Sequence, residues 1–151
     1  MIVAMCDEFL EIYLQIGRER GIPAFMPRDT GNSSQSPEWF GPRAAEWQDR
    51  GQPVFDHCRV VTQRGDARDH LDFVADVFDG LPAGLSCVLL HPAIDTLEIR
   101  AITSDWRGRV ADFEVFRQPS LRDHIRDLGI DLISYRPICD AMRRRSEAGS
   151  T

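Results

Sequence analysis

The stretch LSCVLLHPAID (Leu85–Asp95) is an apolar run that closes on His91-Pro92, with a carboxylate, Asp95, just beyond. Parallel α/β folds keep their chemistry at the C-terminal ends of strands. Pro92 biases His91 away from helix, so the run ends in a turn. An imidazole in that place can act as general acid or base near neutral pH, or can simply bond a neighbouring loop. His91 is the candidate catalytic residue, and Asp95 a candidate substrate contact. Further along, Trp106, Arg107 and Arg109 can line a polar cleft, although Arg109 can equally pair with Asp112 one helical turn on. Asp56-His57 is a second candidate, as a metal or acid/base unit. Adjacent strand residues face opposite ways, so one of the two at most meets a site, and Asp56 is favoured. Trp39 and Trp47 can stack on a sugar ring, or can pin a long loop to the body. His70 and His124 stand in charged stretches, DARDHLDF and LRDHIRD, and are expected on solvated helix faces.

These residues need elements to hold them. DEFLEIYLQIGRERG carries Phe9, Leu10, Tyr13, Leu14 and Ile16 at helical spacing, with Asp7 placed to cap its start and Gly21 to end it. IPAFM reads as a short strand. Residues 28–53, rich in Gly, Pro, Ser and Asn, read as a long loop, of the kind that is functional or disordered; its Trp39, Phe40 and Trp47 argue against full disorder. VFDHCRVVT is a strand, and ARDHLDFVADVFDGLP an amphipathic helix with Leu71, Val74, Ala75 and Phe78 on one face. GLSCVLLH reads as a strand buried on both faces. WRGRVADFEVF and SLRDHIRDLG read as helices, IDLISYR as the last strand, and a short helix follows. The alternation predicts βα units with a mainly parallel sheet. We therefore expect one α/β domain over 1–140, with the loop at about 28–53 and a polar tail at 141–151. Four strands are few for a closed barrel, which needs about eight. The opening MIVAM resembles the tail of a strand, as if this were the C-terminal part of something larger.

Bulk composition removes several classes of function. Of 151 residues, 42% are hydrophobic and 28% charged, ordinary values for a globular protein. No apolar run nears the roughly 20 residues that span a bilayer, and the N-terminus lacks a basic leader, so no membrane partner and a cytoplasmic location are expected. The net charge is −6, and all 18 basic residues are arginine. An acidic chain without a basic stripe argues against nucleic acid as partner. Arg143-Arg144-Arg145 suits a solvated helix end. Cys6, Cys58, Cys87 and Cys139 form no CxxC pair, which gives a zinc site little support. Cys58 and Cys87 read as small buried hydrophobes.

Three segments together resemble the YdjC-like carbohydrate deacetylases, relatives of chitooligosaccharide deacetylase. EFLEIYLQIGRERGIPAFMPR is similar to the family's helix and Gly-Ile-Pro strand. FVADVFDGLPAGLSCVLLHPAID is similar to its Leu-Pro-x-Gly segment and His-Pro turn. DWRGRVADFEVFRQPSLRDHIRDLGIDLISYRPI is similar to its closing helices and strand. The resemblance runs over roughly 7–138. It implies the C-terminal part of a TIM-like (β/α) barrel and a hydrolase that removes acetyl groups from N-acetylated sugars. It also implies a divalent metal, Mg²⁺ in the intact family. That metal is held by an Asp-Asp-Phe-Gly motif and by histidines, one of them in an Asp-Ser-His motif. Neither motif is present, so this chain is expected to begin just after Asp-Ser-His and to hold no metal alone. It would associate with itself or pair with a missing N-terminal half. His91 alone carries over, as acid or as orienter of substrate or base; Ala93 replaces the family's usual glycine and requires a negative φ there. The alternative is a non-catalytic α/β chain that binds a sugar or a protein.

Overall fold

The structure, a computed structural model, describes residues 6–31, 37–61 and 67–148. The opening MIVAM, the last three residues of the tail and the side chain of Trp39 lie outside the described residues. The chain is α/β. A three-stranded parallel sheet in the order β1-β2-β3 is joined by helices. It divides into two compact units, Met1–Cys58 with Leu132–Thr151, and Arg59–Asp131. No described helix is long and apolar enough to cross a membrane.

In the first unit, α1 (Asp7–Arg20) leads to β1 (Pro27–Asp29), α2 (Pro37–Asp49) and β2 (Phe55–Val60), whose last residues enter the second unit; α7 (Tyr135–Ala148) completes it. Gly21, at φ 60°, ends α1 as expected, because only glycine takes a left-handed cap without steric cost. Asp7 is the first helical residue rather than the cap, which is Cys6. Of the expected α1 stripe, Leu10 and Leu14 are buried and Tyr13 partly so, whereas Phe9 and Ile16 stay exposed. The Tyr13 hydroxyl accepts the Phe25 N–H at 2.7 Å, which ties the helix to the chain entering β1. Strands β1 and β2 run parallel, with Pro27 opposite Phe55 and Asp29 opposite His57.

Part of the segment expected to be loop is helix. Phe40, Ala44 and Trp47, at i, i+4 and i+7, lie buried along one side of α2 and pack with Leu10, Leu14, Ala24 and Met26. Pro42, inside α2, removes one backbone bond and costs about 3 kcal/mol. Three buried side chains on one face offset that cost, the two aromatic ones at about 1.5–3 kcal/mol each. Trp47 therefore pins the segment and presents no face to a sugar.

In the second unit, α3 (Ala67–Asp79) precedes β3 (Ser86–Leu89), followed by α4 (Leu97–Ile102), α5 (Trp106–Phe116) and α6 (Pro119–Asp127). Val74, Phe78, Val115, Leu121 and Ile125 form its core, with Leu71 packed against it. The Val61 N–H donates to the Leu89 carbonyl at 2.8 Å. Strand β3 is half-buried, not covered on both faces as its unbroken apolar run suggested. Residues 130–134 are not a strand. Leu132 and Ile133 are exposed, and among the described residues no strand pairs with them; an apolar run without a ladder partner stays irregular. Arg143, Arg144 and Arg145 lie exposed in the second half of α7, which runs into the expected tail.

Candidate active site at the end of β3

His91 stands two residues past Leu89, at the C-terminal end of β3, and is exposed. Its backbone N–H donates to Asp112 Oδ2 at 2.9 Å. Pro92 has no N–H to place. The Ala93 N–H donates to the Arg109 carbonyl at 2.9 Å. Arg109 and Asp112 lie one turn apart on α5, so a single helix face fixes the whole turn. Ala93 has a negative φ, since no described non-glycine residue has a positive one.

Behind the turn lies a buried pair that the sequence did not reveal. Asp112, 3% exposed, has its Oδ1 2.8 Å from His70 Nε2, and His70 is fully buried. His70 was expected on a solvated face because the residues around it are charged. It sits instead four residues before Val74, on the same side of α3. The signal was available in that spacing but was masked by Asp69 and Asp72. Asp112 acts on Arg109, one turn away, only through its charge, since its two oxygens go to His70 and to the His91 N–H. Arg109 turns to Asp105 at 2.9 Å, and Thr103 also donates to Asp105. The Arg109 bond, with that from Thr103, holds the Asp105 carboxyl below the usual range. His124 is part-exposed on α6, with Nε2 2.9 Å from Asp79 Oδ1.

Asp95 and Trp106 come together through an arginine. Arg100 donates to both oxygens of Asp95, Nε to Oδ1 and Nη2 to Oδ2, each at 2.6 Å. That fork lowers the Asp95 pKa and keeps the group an anion. The Arg100 guanidinium also lies 4.6 Å from the Trp106 ring centroid, and that of Arg107 lies 4.3 Å from it. Thr96 caps the intervening α4, its hydroxyl accepting the Ile99 N–H. Asp95, Trp106 and the two arginines thus form one surface cluster after the His91 turn. Cys87, on β3, is pushed up by burial and stays a thiol rather than a thiolate nucleophile.

Asp56 belongs to the first unit. It pairs with Arg28 at 3.7 Å, while its neighbour His57 places Nδ1 3.4 Å from Asp29 Oδ2. The two have separate partners, as strand alternation requires. Among the described residues no three His, Cys, Asp or Glu side chains come together as ligands for a metal ion. The described residues therefore do not by themselves fit the divalent metal that the family resemblance implies.

A short parallel sheet with its connecting helices, and a histidine at a strand's C-terminal end, define an α/β architecture with its candidate chemistry on the conventional edge. No protein-family model and no curated protein matches the chain. Among solved structures it is similar to the crystal structure of a proposed cellobiose-phosphate cleavage protein from Enterococcus faecalis, with 15% identity and a TM-score of 0.64. The likeness covers 91% of this chain and 49% of that one, so the chain spans about half the neighbour's length. At that identity the likeness is one of fold.

Proposed function

We propose that this chain is the C-terminal part of a TIM-like carbohydrate hydrolase that removes acetyl groups from N-acetylated sugars, with His91 as its acid or as the orienter of its substrate. The observation that carries the reading is the His91 turn: an exposed imidazole at a strand's C-terminal end, on a backbone bonded to α5 at both His91 and Ala93. The three family-like segments support it, as does the fold shared with a protein proposed to cleave cellobiose-phosphate. Asp95 and Trp106, clustered by Arg100, would flank the sugar beside that turn, with Arg109 behind it. The family's divalent metal, Mg²⁺ by that resemblance, would be held by residues other than those described.

The test is acetate release from N,N′-diacetylchitobiose in Mg²⁺ or Zn²⁺. It uses this chain together with whatever its gene encodes in frame before Met1. His91→Ala should lower kcat by about 10²–10⁴-fold, the worth of a positioned acid or base, with the fold unchanged. His124→Ala should change little. Wild-type turnover in His91→Ala, or no acetate from the intact polypeptide, would refute the proposal.

A second reading is a non-catalytic α/β chain that binds a partner. It is favoured by Phe9, Ile12 and Ile16, which expose 51%, 54% and 52% of their surface along one side of α1. The occupant that fits is the other half of the same fold, since the neighbour is about twice as long. Sedimentation of this chain alone and with that half separates pairing from self-association. A monomer indifferent to the other half removes the reading.

A further inference from the structure

We infer that Asp112 and His70 are positioning residues for the candidate site: they act on His91 through its main chain, without touching substrate. The kinetic part of this inference rests on the function proposed above; the structural part does not.

Strand β3 ends at Leu89, so the next N–H groups have no ladder to join. Pro92 contributes none, and Ala93 is met by a backbone carbonyl of α5. The His91 N–H meets a side-chain acceptor instead, Asp112 Oδ2 at 2.9 Å. The other oxygen of that carboxylate is held by His70 Nε2, from α3, at 2.8 Å. One carboxylate therefore ties two helices to the end of a strand. A buried carboxylate is costly, and well-packed apolar residues often stabilise a core as much or more. Stability of the fold is a weak reason for such a pair, whereas fixing the root of an exposed ring that must be aimed is a sufficient one. Main-chain anchoring suits the task, because it leaves both ring nitrogens of His91 clear of Asp112.

The experiment has two arms. In the first, amide hydrogen exchange of the 151-residue chain is followed by NMR in wild type, Asp112→Ala, His70→Leu and His70→Gln. The Val61 amide, bonded to Leu89, reports the stability of the unit. In Asp112→Ala and His70→Leu the His91 amide should lose at least about tenfold more protection than Val61, the worth of one buried hydrogen bond. His70→Gln keeps a donor for Asp112 and should restore most of it. If Asp112→Ala does not fold, Asp112→Leu, which fills the space and offers no acceptor to the His91 N–H, replaces it in the same comparison. In the second arm, acetate release is measured as above. Asp112→Ala and His70→Leu should lower kcat by about 10–100-fold, with KM within about twofold, because misplacing a reacting group by an ångström costs that much. His91 protection that falls only in step with Val61 overturns the inference, as does wild-type kcat in variants that have lost that protection. If the wild type releases no acetate, the proposed function fails and the exchange arm alone decides the positioning role.

Discussion

Trp47 offers a quantitative test of the first unit. Among the described residues it is the largest of the fully buried side chains, and it packs with Phe40, Ala44, Leu10 and Leu14. Replacement by Ala should cost about 3–5 kcal/mol, the usual price of deleting a buried Trp. Replacement by Phe is a different case. The smaller ring gives up roughly two carbons, about 1.5 kcal/mol at about 0.8 kcal/mol per methylene. Against that, among the described residues the indole Nε1–H has no hydrogen-bond acceptor. A buried donor left unmet costs about 1–3 kcal/mol, and a phenyl ring removes it. The Arg18 guanidinium, 5.6 Å from the ring centroid, keeps an aromatic face beneath it in the Phe variant alone. Trp47→Phe should therefore stay within about 1 kcal/mol of wild type, since the two larger effects oppose each other. With a urea slope of about 2 kcal/mol per molar, the midpoint should fall by about 2 M for Ala and by under about 0.5 M for Phe. Far-UV circular dichroism is the appropriate probe, because tryptophan fluorescence would lose its own reporter. A loss in Trp47→Phe well above about 1.5 kcal/mol would show that the indole N–H is satisfied. An unmoved midpoint in Trp47→Ala would show that α2 is not docked in this core.

Gly17→Ala should destabilise by about 1–2 kcal/mol, against the roughly 1 kcal/mol that helix propensity alone would add; thermal melting reads the sign. The reason is steric, since a Cβ there would meet the Ile22 carbonyl oxygen at 2.9 Å. In Arg100→Ala the Asp95 carboxyl should titrate higher, because the guanidinium fork is the main cause of its depressed pKa; carboxyl NMR follows it. Since the folded pKa is the lower one, the Asp95–Arg100 link contributes above the unfolded carboxylate pKa and is lost as pH falls through the folded value. The Asp95–Arg100 link itself should loosen in acid in wild type, and in Arg100→Ala it is absent at every pH. Titration calorimetry of this chain with Mg²⁺, Zn²⁺ and Mn²⁺ should show no one-to-one site tighter than about 10 µM, roughly −7 kcal/mol. Such a site would contradict the dispersed placement of the described carboxylates and imidazoles.

The elements most legible in the sequence are those whose pattern is set by one neighbour. Val74 and Phe78 mark the buried side of α3, and the run Trp106–Phe116 coincides with α5. α2 was hidden because Gly41 and Pro42 punctuate a helix that its aromatic face holds together. The run at 130–134 misled in the opposite direction: alternation can write a strand, but a strand exists only where another accepts its hydrogen bonds. α4 carries no buried residue, so no apolar stripe announced it. At the site, His91 was legible because Pro92 and the preceding apolar run place it at a strand end. Asp112 and His70 were not, because burial of a charged side chain is decided by a partner 42 residues away in the chain.

The two units also differ in how the chain supplies them, and this bears on the order in which they form during synthesis. Arg59–Asp131 is one continuous stretch, whereas the other unit joins Met1–Cys58 to Leu132–Thr151. Phe55 meets Tyr135, with ring centroids 5.9 Å apart, and Met142 is buried on the returning helix. At about 5–20 residues per second, the α7 stretch leaves the ribosome several seconds after Cys58. The internal stretch, with the His91 turn already bonded to α5, can therefore close first on the nascent chain. The core from Leu10 to Trp47 needs no residue of α7, so what waits for the last segment is the surface around Phe55 that meets Tyr135.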